Sequence, residues 1–241
     1  MSNYKPEKIH TIILKLSGEV LSGHQTFGIN IQRIEEIIGE VIAVRKMGYR
    51  IGMVLGGGNF FRGSSETAKY LDRVTADNVG MLATVQNALI FSDLMRNKNY
   101  LTEVYTAFKV DRIAKFYTPD RAITSLNEGK ICFFCGGIGN PFFTTDTTAI
   151  LRGIELKADL VLKATKVDGI YSNDPMKDKN AKLYKKITFD EALDKKLKVM
   201  DMTAFSLARE YNMPIKVFNI DIRGNMIKAI QDVDLGTYVH A

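Results

Sequence analysis

The sequence predicts an α/β chain in which a mostly parallel sheet is covered by helices. Three observations carry that reading. Short runs rich in Ile, Leu and Val recur along the chain. Stretches with apolar residues at helical spacing separate them. Glycine-rich polar segments follow several of the apolar runs directly, which is where ligands gather in open α/β sheets.

Taken in order, the first strand spans Thr11 to Leu16. Asn30 can cap a helix that carries Ile31, Ile34, Ile38, Val41 and Ile42 on one face and is closed by Gly48. Arg50 to Leu55 forms the second strand and ends in Gly56-Gly57-Gly58. A long helix is expected from about Asp77 to Met95. Its apolar surface (Met81, Leu82, Val85, Leu89, Ile90, Phe91, Met95) is wide enough to meet a partner subunit as well as the core. Strands fall near Glu103–Phe108, Ile131–Cys135, Leu160–Lys163 and Ile215–Phe218. Helices fall at about Asp146–Leu156, Phe189–Leu193, Ala204–Tyr211 and Asn225–Gln231. With no linker, repeat or composition break, residues 1–241 read as one domain.

The chain has 241 residues, 46% hydrophobic and 25% charged, an ordinary globular composition. No stretch approaches the roughly 18 apolar residues that span a bilayer. The opening MSNYKPEKIH lacks the apolar region of a secretory signal, so the expectation is a cytoplasmic protein with no membrane partner. The net charge is +6, a balance that favours anionic substrates. Much of the excess lies in the run Met176 to Lys186, more commonly a solvated loop or edge hairpin than a nucleic-acid contact. No basic stripe interleaved with aromatics points to nucleic acid. Cys132 and Cys135 form a C-x-x-C, but within a strand an odd offset sends them to opposite faces. They read as core cysteines rather than a redox or zinc pair. The only histidines, His10, His24 and His240, do not follow strands as a catalytic base would.

Chemistry gathers at four segments. Lys15 interrupts a strand buried on both faces, and Lys163 repeats the arrangement at the end of another. Burying one such amine unpaired costs several kcal/mol; two at one sheet edge point to shared neutralisation of a phosphate, with Asp146 holding them in position. Gly56-Gly57-Gly58-Asn59 brings backbone close to a ligand, or simply makes a tight turn. Arg62 favours the former, because a guanidinium fork suits phosphate oxygens. Gly136 to Asp146 offers glycines, an amide, aromatics and hydroxyls at the head of a helix, a plausible nucleotide pocket. Equally, Thr144 or Thr145 caps that helix with Asp146 in its first turn. Asp77 reads either as a cap of the long helix or as an acceptor for a ribose hydroxyl.

These residues resemble the amino acid kinase family, in its bacterial uridylate kinase branch. The resemblance runs from about Thr11 to Tyr238. It is carried by KLSGE, GGGN with Arg62, ADNVGMLAT, GNPFFTTDT, LRGIE, KATKVDGIY with Asp174-Pro175, and KVMDMTAF. It implies a three-layer sandwich around a largely parallel sheet of about eight strands. It also implies a homohexamer that transfers the γ-phosphoryl group of ATP to UMP with Mg²⁺, itself held mainly by nucleotide phosphates. By position, the resemblance assigns Lys15, Leu16, Ser17, Gly18, Gly58 and Arg62 to the ATP phosphates, and Thr165, Tyr171 and Asp174 to adenosine. It assigns Gly57, Asp77 and the loop Ile138, Gly139, Asn140, Pro141, Phe142, Phe143, Thr144 and Thr145 to UMP. Lys15, Lys163, Asp146 and Arg62 become the transfer residues. GTP activation and UTP inhibition are implied for the loop Gly23, His24, Gln25, Thr26, Phe27 and Gly28. The chain departs from the family pattern at Ile138, where threonine is common, at Asn78, where histidine is common, and at Asp72, which adds a charge where asparagine is usual.

Overall fold

The computed structural model describes residues 4–61, 70–197 and 200–241. Its strands are β1 (Thr11–Leu16), β2 (Arg50–Leu55), β3 (Thr102–Thr106), β4 (Lys115–Phe116), β5 (Ile131–Cys135) and β6 (Leu160–Thr165). There follow β7 (Ile170–Tyr171), β8 (Leu183–Tyr184), β9 (Lys186–Thr188), β10 (Ile215–Asn219) and β11 (Thr237–His240). Nine of them form one sheet in the order β4-β3-β5-β2-β1-β6-β10-β11-β9. Every neighbouring pair is parallel except β10 with β11. Strands β7 and β8 pair separately as an antiparallel hairpin, and it encloses most of the basic run, as expected for an edge hairpin.

The helices are α1 (Gly18–Leu21), α2 (Ile31–Lys46), α3 (Arg73–Arg96), α4 (Pro119–Asn127), α5 (Thr145–Glu155), α6 (Phe189–Asp194), α7 (Met202–Glu210) and α8 (Asn225–Gln231). Alternation along the central strands divides them between two cores. Ile12, Leu14 and Leu16 of β1 join Ile34 and Ile38 of α2, Val85 and Phe91 of α3, and Met226 of α8. Ile13, Val54 and Val161 face the other way, onto Ala122 of α4, Ile150 of α5 and Phe205 of α7. The result is the three-layer sandwich that the sequence predicts. Cys135 lies in the first core and Cys132 in the second, both as free thiols.

Several details differ from the sequence reading. Helix α3 starts at Arg73, a turn before Asp77, because Asp72 accepts from Val74 N at 2.9 Å and Thr75 N at 3.4 Å. Asp77 is therefore not a cap, and the extra charge at Asp72 is engaged in capping, where Asp and Asn serve equally. Helix α7 starts at Met202 rather than Ala204, because Asp201 accepts from Ala204 N at 2.8 Å. The sheet has nine strands, in keeping with the expected number of about eight. Strands β4 and β9 are too short for periodicity to register, and their stability comes from pairing with neighbours rather than from intrinsic preference. Helix α4, opened by Pro119, was not anticipated. On α3, Leu82 and Val74 are exposed while Val85, Phe91 and Met95 are buried, so part of the wide apolar surface faces outward.

Burial pushes both cysteine thiols up to about 12. Neither should react with a disulfide reagent at pH 8 in the native state, while urea should release two reactive thiols per chain. Rapid labelling of either in native buffer would contradict their placement.

Candidate active site

Lys15 and Lys163 are direct partners in the register of β1 and β6. Side chains alternate along a strand, so both amines leave the sheet on the side of Ile13 and Val161, where α5 packs. The first turn of α5 carries Asp146 over that point. Lys15 Nζ lies 2.7 Å from Asp146 Oδ1, and Lys163 Nζ donates to Asp146 Oδ2. The three residues are 7%, 7% and 8% exposed. One carboxylate thus serves two buried ammonium groups and leaves one positive charge in excess.

The electrostatics follow from that count. Burial, and after it the charge on Lys15, lower the Lys163 pKa to about 8 against the partial opposition of Asp146. For Asp146, burial favours the neutral form, but Lys15 and Lys163 outweigh it and hold the carboxyl below the usual range. A buried cluster with surplus positive charge attracts an anion.

The loop after β1 interlocks with the loop after β2. A Cβ on Gly18 would lie 2.5 Å from both Asn59 Oδ1 and Gly58 N, so no larger residue fits there. Ser17 occupies the N-cap of α1, and the Leu16 side chain points into the opposite core, leaving only its backbone for a ligand. Gly57 is pressed against α3: a Cβ there would sit 2.7 Å from Gly80 O. Arg62 lies outside the described residues. The segment Gly23–Gly28 borders the glycine loop, with Gly28 N donating to Asn59 O at 2.8 Å and the exposed Phe27 ring 5.9 Å from Phe60.

The third loop turns sharply before α5. Gly136, Gly137 and Gly139 have positive φ, and so does Phe142 at 73°, a conformation that a bulky residue holds only where its surroundings impose it. Phe142 N donates to Asp77 Oδ2 at 2.7 Å, and Arg73 Nε reaches the same oxygen at 2.8 Å. Asp77 therefore faces the Ile138–Thr145 loop. The Phe142 and Phe143 rings are exposed beside it, and Asn140 is also exposed. Thr144 is the cap of α5, accepting from Asp146 N at 3.0 Å. The capping alternative is thus right for Thr144, while Asp146 turns inward to the lysines.

Two adjoining cavities complete the picture. One, of about 580 Å³, is lined by Lys15, Thr144, Thr145, Asp146 and Asp201 among others. The other, of about 590 Å³, is lined by Thr165, Tyr171, Asp174, Pro175 and their neighbours. Lys196 and Leu197 line both. The Thr165 hydroxyl is committed to Val167 O at 2.7 Å, and Asp174 accepts from Met176 N at 3.0 Å.

Asp201 escaped the sequence reading as a site residue. Besides capping α7, it accepts from the Thr144 hydroxyl and from Thr147 Oγ1 at 3.2 Å, so it braces the turn that carries Asp146. The signal was an Asp three residues before Ala204, a cap pattern hidden by starting the helix too late.

The family model for the amino acid kinase family matches residues 10–219. A solved UMP kinase from Bacillus anthracis is 36% identical, covers 95% of each chain and superposes with a TM-score of 0.92. A UMP kinase from Ureaplasma parvum is 33% identical over 97% of this chain and 100% of the other, with a TM-score of 0.91. A uridylate kinase from Archaeoglobus fulgidus is 25% identical over 95% and 99%, with a TM-score of 0.73. The chain belongs to the amino acid kinase family.

Replacing Asp146 by Asn strands two ammonium groups against each other. The expected cost is about 3–5 kcal/mol in urea unfolding at pH 7. A lysine whose folded pKa is depressed binds fewer protons folded than unfolded, so stability rises with pH between about 8 and the ordinary value of 10.5. Asp146→Asn should therefore recover part of its loss at alkaline pH. A pH-independent change below 1 kcal/mol would contradict the shared-carboxylate arrangement.

Proposed function

We propose that this chain transfers the γ-phosphoryl group of ATP to UMP, giving ADP and UDP, as a cytoplasmic enzyme of pyrimidine nucleotide synthesis. The observation that carries the reading is the convergence of Lys15 and Lys163 on Asp146 between glycine-rich loops. The UMP kinases reported above support the choice of acceptor.

The acceptor is itself a phosphate, with a second pKa near 6. Its attacking oxygen is anionic at neutral pH, so no general base is required. Repulsion between two phosphate groups is the barrier, and the protein supplies positive charge and alignment. Lys15 and Lys163 flank the migrating group, Gly18 and Gly58 let backbone N–H groups approach the donor, and Arg62 adds a further cation. The cavity with Thr165, Tyr171 and Asp174 takes adenosine. Gly57, Asp77 and the loop from Ile138 to Thr145 take UMP, with Asp77 exchanging its Phe142 contact for a ribose hydroxyl. Transfer is direct and in line, without a covalent enzyme intermediate.

Among the described residues no group of three or more His, Cys, Asp or Glu side chains could hold a metal, and both Asp146 oxygens face ammonium groups. Mg²⁺ would be held mainly by the donor phosphates and would neutralise charge there. The outward apolar residues of α3 fit a homohexamer, and the Gly23–Gly28 loop, beside Asn59, fits a role in the response to GTP and UTP. Among the described residues no helix is long and apolar enough to cross a membrane.

An ADP-release assay across UMP, CMP, glutamate and aspartate tests the assignment; turnover with an amino acid and none with UMP would overturn it. Lys15→Ala should lose about a hundredfold or more in kcat while remaining folded, because Lys163 and Asp146 still neutralise each other. For the free enzyme, kcat/KM should fall above a pH of about 8 as Lys163 loses its proton. Lys163→Arg should remove that alkaline limb, since a guanidinium does not titrate in this range.

A further inference from the structure

We infer that Asn87 is a positioning residue for the transfer step, acting through the glycine loop; the inference rests on the phosphoryl-transfer reading above. Asn87 lies in α3, with no exposed surface, and pairs with the equally buried Asn59. The two carboxamides exchange hydrogen bonds: Asn59 Nδ2 donates to Asn87 Oδ1 at 2.9 Å, and Asn87 Nδ2 donates to Asn59 Oδ1 at 2.7 Å. Each has a second N–H, and both are used on backbone. Asn87 donates to Gly56 O at 2.7 Å, and Asn59 donates to Gly28 O at 3.0 Å. Because Gly56 O and Gly28 O can only accept, the network dictates which way both amides face.

An apolar pair of similar shape would fill this space without the cost of desolvating two amides. What the amides add is direction: they hold both ends of the Gly56–Asn59 turn at fixed distances from α3. The same helix face makes three more loop contacts. Asp77 accepts from Phe142 N, Gly80 O receives the close approach of Gly57, and Thr84 Oγ1 accepts from Gly136 N at 2.7 Å. Residues 77, 80, 84 and 87 form one stripe at helical spacing. A single rigid helix thus sets the loop after β2 and the loop after β5 relative to each other, which is the alignment that an in-line transfer needs. A displacement of about 1 Å in such an alignment lowers rate by about a hundredfold.

The test is steady-state kinetics of Asn87→Leu, normalised to folded protein by circular dichroism well below its melting temperature. A positioning role predicts a fall in kcat of at least tenfold with KM for UMP changed less than fivefold. The neighbouring exposed Gln86→Ala should keep wild-type kcat. A purely structural role predicts a lower melting temperature with kcat per folded chain unchanged, and that result would overturn the inference. If Asn87→Leu does not fold, Asn87→Ser, which leaves room for water, takes its place with the same criteria. Failure of both to fold would also overturn it in favour of a structural amide pair. Absence of UMP turnover in the wild type would instead count against the proposed function.

Discussion

One carboxylate shared by two buried ammonium groups organises the carboxyl edge of this sheet. Neither lysine is tolerable alone at its depth, and Asp146 alone would favour the neutral form. Together they form a charged cluster that is one negative charge short of neutrality. The fold supplies what this needs: two parallel strands in strict register, and a helix whose first turn crosses their ends. The excess charge is available to whatever anion enters, so the same arrangement that makes the lysines tolerable also leaves the pocket electropositive.

Around this cluster the loops are held by close contact rather than by bulk. Gly18 meets the turn after β2 at a distance that no side chain permits, and Gly57 meets α3 in the same way. Asp201 braces Thr144 and Thr147, and through them the turn that carries Asp146. Helix α3 touches two of the loops on its inner side and shows Leu82 and Val74 on its outer side.

Much of this was legible in the chain. Strands β1, β2 and β5 have the bounds their apolar runs predict, because a strand buried on both faces leaves an unbroken apolar signature. The lysines stood out as polar residues in such runs, and their register follows from equivalent positions at two strand ends. What escaped had physical reasons. Edge strands of two or three residues carry no period. The caps at Asp72 and Asp201 shifted helix starts by a few residues, since capping residues look like loop until the first turn is seen. The Asn59–Asn87 pair left no trace at all, because two amides far apart in sequence carry no spacing that marks them as partners.

The separation of Lys15 from Lys163 has a consequence for biogenesis. Strand β1 can pair with β2 as soon as that next strand is made. Its other neighbour, β6, is synthesised only after β2 to β5 and the helices between them. Until then β1 has an unpaired apolar edge, and such edges invite pairing with other chains. Lys15 sits on that edge, charged and hydrated, where a lysine discourages wrong neighbours. The residue proposed to meet phosphate thus begins as a guard on a half-made sheet.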